Sequence, residues 1–132
     1  MATTLSLSTK RKESMEDITG MVEEALAKAP AETVAVHLQV LHTSCALHIN
    51  EGHDPQLRED ILDSLARLVP AGGWRHDRLD GNADAHIKTS LLGTTLTIGV
   101  EEKQLVLGTW QRILCCEFDG PRTRTIRGTY LS

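Results

Sequence analysis

The stretch that most constrains this chain is "ETVAVHLQVLHTSCALHINEGHDP", residues 32–55. Val34, Val36, Leu38 and Val40 recur at a spacing of two, so on a strand they share one face, with Ala35, His37 and Gln39 on the other. Continuing the count puts His42 on the apolar, inward face. After His42 the parity flips: Cys45, Leu47 and Ile49 become the apolar set, and Ser44, Ala46 and His48 lie opposite. A one-residue slip would turn every side chain of a buried strand to the wrong face. The pattern therefore demands a bulge or break at His42-Thr43-Ser44. Bulges recur beside active sites and also as plain sheet geometry.

The remaining elements follow from local chemistry. Residues 3–9 alternate as an edge strand. Ile18, Met21, Val22, Ala25 and Leu26 recur at helical spacing, with Ser14 as the expected N-cap and Asp17 three residues on. Asp54-Pro55 reads as an N-cap followed by proline at the first helical position. Leu57, Ile61, Leu62, Leu65 and Leu68 form the expected buried stripe of that second helix. Asn82 caps a short helix ended by Gly93. Strands are expected at 94–100, 105–118 and 122–130, the last two joined by "DGPR". Hairpin joins near the C-terminus favour an antiparallel α+β domain over a doubly wound sheet.

With 132 residues the chain is expected to form one domain, residues 1–132. A net charge of −4 argues against non-specific nucleic-acid binding. No apolar run reaches membrane-spanning length, and the N-terminus lacks a signal-peptide core. Three cysteines, two of them adjacent, make a poor disulfide framework and suit a reducing, cytoplasmic setting.

Several polar residues could carry chemistry. His42, His76 and His86 could together hold a metal, as three imidazoles and a water do in catalytic zinc sites, although their spacing matches no local zinc motif. Asp54 suits a cap and Glu51 has no evident structural duty. Glu117 and Asp119 share strand parity with Gln111, and their plain reading is a solvated face. Arg122 and Arg124, two apart, could clamp a phosphate by forked hydrogen bonds. Their plain reading is an outward strand face. Cys45 is best explained as buried packing. There is no glycine-rich phosphate loop or dinucleotide fingerprint.

The strings "HTSCALHINE", "DP", "NADAHIKTSLLG", "LGTWQRI" and "EFDGPRTR", spanning residues 33–127, resemble the secondary thiamine-phosphate synthases, long carried as an uncharacterised family. The resemblance implies an α+β fold, a compact and largely antiparallel β-sandwich with two main helices and one short helix packed outside, assembled as a homotrimer. It implies an enzyme joining hydroxymethylpyrimidine diphosphate to a thiazole phosphate, with that reaction as a side activity in the sense of "secondary". His42, Glu51, Asp54 and Asp119 would be catalytic. Thr43, Ser44, Asn82, Trp110, Gln111, Arg122 and Arg124 would bind a phosphorylated small-molecule substrate. His42, His76 and His86 would hold a divalent metal, zinc or magnesium. The alternatives are a metal-dependent hydrolase of another substrate and a non-catalytic module that holds a metal or a small anion. The chain departs from the family pattern at Cys45, where alanine is usual, and at "INEGHDP" and "EEKQ".

Overall fold

A computed structural model describes residues 1–132. Eight strands, β1 (Ala2–Ser8), β2 (Ser14–Asp17), β3 (Ala35–Val40), β4 (Cys45–Glu51), β5 (Thr95–Glu101), β6 (Gln104–Leu105), β7 (Gln111–Glu117) and β8 (Thr123–Leu131), form two antiparallel sheets. Their orders are β1-β8-β3-β5-β6 and β2-β7-β4. Three helices accompany them: α1 (Thr19–Leu26), α2 (Pro55–Leu68) and α3 (Ala83–Leu92), with a 3₁₀ turn at Arg75–Arg78. The architecture is the expected α+β sandwich. No helix is long and apolar enough to cross a membrane.

Burial explains the layering. The inward residues of the larger sheet, among them Val36, Leu38, Ile98 and Ile126, meet Cys45, Leu47, Ile113 and Cys115 of the smaller sheet and the α1 residues Val22 and Leu26. The smaller sheet's other face carries Met15, Ala46, Leu114 and Cys116, and α2 and α3 cover it with Leu62, Leu65 and Ala85. A strand covered on both sides reads as a continuous apolar run. That is why "CAL" and "ILCC" are buried without alternation.

Five expectations change. Ser14 and Asp17 do not open a helix. They belong to β2, which pairs with Leu114–Glu117 of β7. Helix α1 starts after Ile18 with no side-chain cap there, while Asp17 accepts from the Thr19 amide at 2.9 Å. Pairing with a buried strand outweighs a cap worth about 1 kcal/mol. The expected strand 105–118 is split, because Gly108 N–H bonds Gln111 Oε1 at 2.7 Å and turns the chain. Leu68 is exposed and Val69, just past the helix, is buried instead. Val34 precedes β3 and is exposed rather than inward. Finally α3, at ten residues, is longer than the eight-residue α1, so the short helix is the first one.

The three thiols are free and buried. Cys115 is turned to the Cys45 sulfur, 3.2 Å away, and Cys116 to the opposite face. The hydrogen bond with Cys45 and then burial push the Cys115 thiol far up, and burial pushes Cys116 up. The thiolate is the reactive form. A thiol reagent at mildly alkaline pH is thus expected to label none of the three cysteines until denaturant is added, and then all three. Fast labelling of the native protein would contradict this packing.

Candidate functional site

The predicted break at residues 42–44 is real, and it sits where the two sheets join. β3 ends at Val40 in the larger sheet and β4 begins at Cys45 in the smaller one. Crossing between them leaves the amide N–H groups of His42, Thr43 and Ser44 without a protein acceptor. β7 and β8 make the same crossing on the other side. Gly120, in their connection, lies where a Cβ would meet the Arg11 carbonyl at 2.1 Å. Only glycine allows that contact, which seats Lys10–Lys12 against the joint.

A buried ion pair fills the joint. Arg124 of β8 is 1% exposed and Glu117 of β7 is 0% exposed. Arg124 Nε donates to Glu117 Oε1 at 2.7 Å, and its terminal NH2 reaches Glu117 Oε2 and Ser44 Oγ, the latter at 3.0 Å. Glu117 also accepts from Thr9 Oγ1 and from the Asp119 amide. These bonds and the guanidinium hold its carboxyl below the usual range against the opposing effect of burial. The plain reading of Arg124 and Glu117 as a solvated face is therefore corrected: both point inward.

Asp119 stands next to this pair. It accepts from Lys12 Nζ at 2.6 Å, Asn82 Nδ2 at 2.9 Å and Arg122 at 3.1 Å. Those three donors hold its carboxyl down at about 2, overriding burial. Held ionised in this way, Asp119 fixes Arg122 and Asn82 in the wall of the cleft.

The histidines divide into opposite roles. His42 is half-buried and its Nε2 accepts from the Thr125 amide at 3.0 Å. Neutral imidazole then carries its proton on Nδ1. Burial, aided by Arg124 and Arg122, holds the His42 pKa below its ordinary value, so it is neutral at pH 7. His86 Nδ1 lies 3.0 Å from the Thr43 carbonyl. A carbonyl only accepts, so Nδ1 bears the hydrogen and Nε2 keeps a free lone pair. The His76 ring sits edge-on to His86 with centroids 5.1 Å apart, and its Nε2 is 3.7 Å from Asp80 Oδ2.

These tautomers decide whether the three histidines fit a metal. With Nε2 engaged by an amide and Nδ1 protonated, His42 has no lone pair to give. No three His, Cys, Asp or Glu side chains converge as a cage. The His42, His76 and His86 set does not fit a three-histidine centre.

His42, Thr43, Ser44, Asn82, His86, Asp119, Arg122 and Arg124 line one cleft of about 610 Å³, together with Asp80 and Thr123. Thr43 and His86 are shared with an adjoining lobe of about 740 Å³, whose walls include Trp74, His76 and Ile87. Four other expected site residues lie elsewhere. Glu51, Asp54, Trp110 and Gln111 sit at the far end of the β4–β7 ladder, where Glu51 pairs with Gln111. Seven residues at ~3.3 Å each put roughly 20 Å between the two ends. Glu51 has a structural duty after all: its carboxylate accepts from the His53 and Asp54 amides. Asp54 caps α2 through Gln56 N at 2.9 Å. His48 lies outside the cleft, half-buried on β4. Sequence reasoning missed Lys12, whose only signal was the basic run "KRK", and Asp80 and Trp74, which the loop composition did not single out.

Comparison with known proteins places the chain among relatives. The family described as "UPF0047 protein YjbQ-like" matches residues 3–132. A UPF0047 protein of Archaeoglobus fulgidus is 49% identical over 92% of this chain and 94% of its own length. The UPF0047 protein YugU of Bacillus subtilis is 39% identical over 95% of each chain. The crystal structure of hypothetical protein APE1520 from Aeropyrum pernix K1 superposes with a TM-score of 0.94 at 38% identity, covering 100% of this chain and 98% of that one. The resemblance to secondary thiamine-phosphate synthases is overturned by these matches: the family is YjbQ/UPF0047, and no thiamine-phosphate synthase family matches.

Two predictions test the joint. Replacing Glu117 with Gln strands a buried guanidinium and is expected to cost about 3–5 kcal/mol of unfolding free energy in denaturant titration; a loss below 1 kcal/mol would mean the pair is not buried as described. Asp119 has its folded pKa depressed, so its stabilisation is complete above pH ~4 and is lost as pH falls toward ~2. The difference of nearly two units is worth about 2 kcal/mol. Asp119→Asn should flatten the loss of stability over that interval; an unchanged acid limb would contradict the assignment.

Proposed function

The chain belongs to the YjbQ-like UPF0047 family, and for this member we propose an enzyme that binds a small phosphorylated molecule in the cleft at the sheet joint. One observation carries the reading. Three consecutive backbone donors, at His42, Thr43 and Ser44, are left unbonded beside the Arg122 guanidinium. His42 Nδ1–H adds a donor there, since its other nitrogen is taken. Successive free amides form an anion-binding concavity. A guanidinium offers forked hydrogen bonds to phosphate.

The same parts suit chemistry. Fixed donors at a phosphate stabilise charge that develops there during transfer or hydrolysis without having to reorganise. His86 Nε2 supplies a base in the same cleft, oriented by the Thr43 carbonyl. The lobe walled by Trp74 and Ile87 offers room and apolar surface for the rest of the molecule. Burial of all three thiols as free cysteines is in keeping with a cytoplasmic setting.

The remote Glu51, Trp110 and Gln111 group favours an assembly. A homotrimer with head-to-tail contacts closes into a ring and can set one end of a chain against the other end of its neighbour. Sedimentation at three times the chain mass supports that arrangement, and a monomer removes it.

The phosphate reading is tested by thermal shift with inorganic phosphate. Binding to the folded state raises the midpoint as concentration exceeds Kd. Arg122→Met is expected to weaken phosphate binding about tenfold or more, as loss of a charge-assisted bond of roughly 1.5–3 kcal/mol implies. Phosphate that leaves the wild-type midpoint unmoved at tens of millimolar contradicts the proposal.

A further inference from the structure

Two hydrogen-bond acceptors on the α3 side of the cleft have no partner in the protein. Asn82, 8% exposed, donates Nδ2–H to Asp119 Oδ2 at 2.9 Å. That carboxyl is held ionised, so it accepts and does not donate. The orientation of the amide is thereby fixed, and its Oδ1 is a buried acceptor bonded to nothing. Four residues on, His86 keeps the free lone pair of Nε2, because its Nδ1–H serves the Thr43 carbonyl. A spacing of four places Asn82 and His86 on one side of the helix. Both line the cleft of the unbonded amides and Arg122.

The cleft is thus sorted by polarity. Donors gather at the bulge and at Arg122, and acceptors gather at the start of α3. A fully ionised phosphate only accepts, so it can satisfy the first group and neither member of the second. A buried acceptor without a donor bears its full desolvation cost.

We propose that the ligand is a phosphate ester that also carries a hydrogen-bond donor, a hydroxyl or an amino group, presented to Asn82 Oδ1 and His86 Nε2. The inference rests on the phosphate reading above and specifies the other half of the molecule. A site built to bond an O–H or N–H rejects the analogue lacking it, because its own polar group stays unpaired. A hydroxyl held on His86 Nε2 would also be the point at which a proton leaves the ligand.

Calorimetric titration of the purified protein with matched esters tests this. Ethyl phosphate is compared with 2-aminoethyl phosphate, and propyl phosphate with glycerol 3-phosphate. The donor-bearing member of at least one pair is expected to bind about tenfold more tightly. The preference should fall away in Asn82→Leu or His86→Phe while inorganic phosphate still binds both variants. Equal affinities within both pairs overturn the inference and leave the phosphate reading standing. A preference that survives in both variants overturns the assignment to these two acceptors. If no phosphate binds at all, both readings fail together.

Discussion

The Glu117–Arg124 ion pair is the constraint on which the rest of the site depends. It spans the two sheets, since β7 lies in one and β8 in the other. Taking both charges out of water is costly, and their attraction repays it only when the remaining bonds are made. Here they are made. Thr9, the Asp119 amide and Ser44 complete the shells of the two groups. Ser44 belongs to the bulge, so the pair also holds the crossing from β3 to β4. A hydrophobic pair could fill the same volume, but it would set neither the angle between the sheets nor the position of the bulge. The ion pair converts a joint between layers into a defined cleft floor.

Much of this was legible in residues 32–55, and the reason is geometric. Side chains on a strand have a period of two, so a change of parity must coincide with a change in the path of the backbone. The slip at His42–Ser44 marked the crossing between sheets. The Asp54-Pro55 cap was equally plain, because capping is local chemistry. Arg124 was not legible. Parity shows which residues share a face but not which face is inward, and a buried arginine is rare enough that the outward face is the better guess. β2 was missed for a related reason. Ser14–Asp17 has a helix-start pattern, and only its pairing with a strand a hundred residues away makes it extended. The two-ended distribution of the polar residues was equally hidden. Ser44 stands just before the first residue of β4 and Glu51 is its last, so the length of the strand separates them.

Backbone groups, more than side-chain charges, assign roles in the cleft. The Thr125 amide makes His42 a donor, and the Thr43 carbonyl makes His86 an acceptor. The Thr43 carbonyl comes from the segment that crosses between the sheets, and the Thr125 amide from the start of β8 beside it. The same geometry that removes His42 as a metal ligand makes it useful to an anion. It follows that the histidines cannot be read as a set by counting nitrogens. Two rings of the same type, lining one cleft, have been given opposite polarity by what lies behind them.

The charges near the cleft nearly cancel. Glu117 neutralises Arg124, and Lys12 neutralises Asp119. Arg122 also bonds Asp119, at 3.1 Å, and Asp80 adds a further negative charge to the lining. Net charge therefore cannot be what draws an anion in, and long-range steering is weak where the local sum is near zero. What is left is fixed local geometry: free amides, one imidazole N–H and a guanidinium held in place by the Asp119 carbonyl at 2.8 Å. Such groups act only at contact distance. A cleft of this kind selects by shape and hydrogen-bond polarity, and it tolerates an acidic protein around it. That resolves the apparent conflict between a chain of net charge −4 and an anionic ligand. The overall charge governs solubility and non-specific contacts, while recognition is built from dipoles that the sheet joint leaves unpaired.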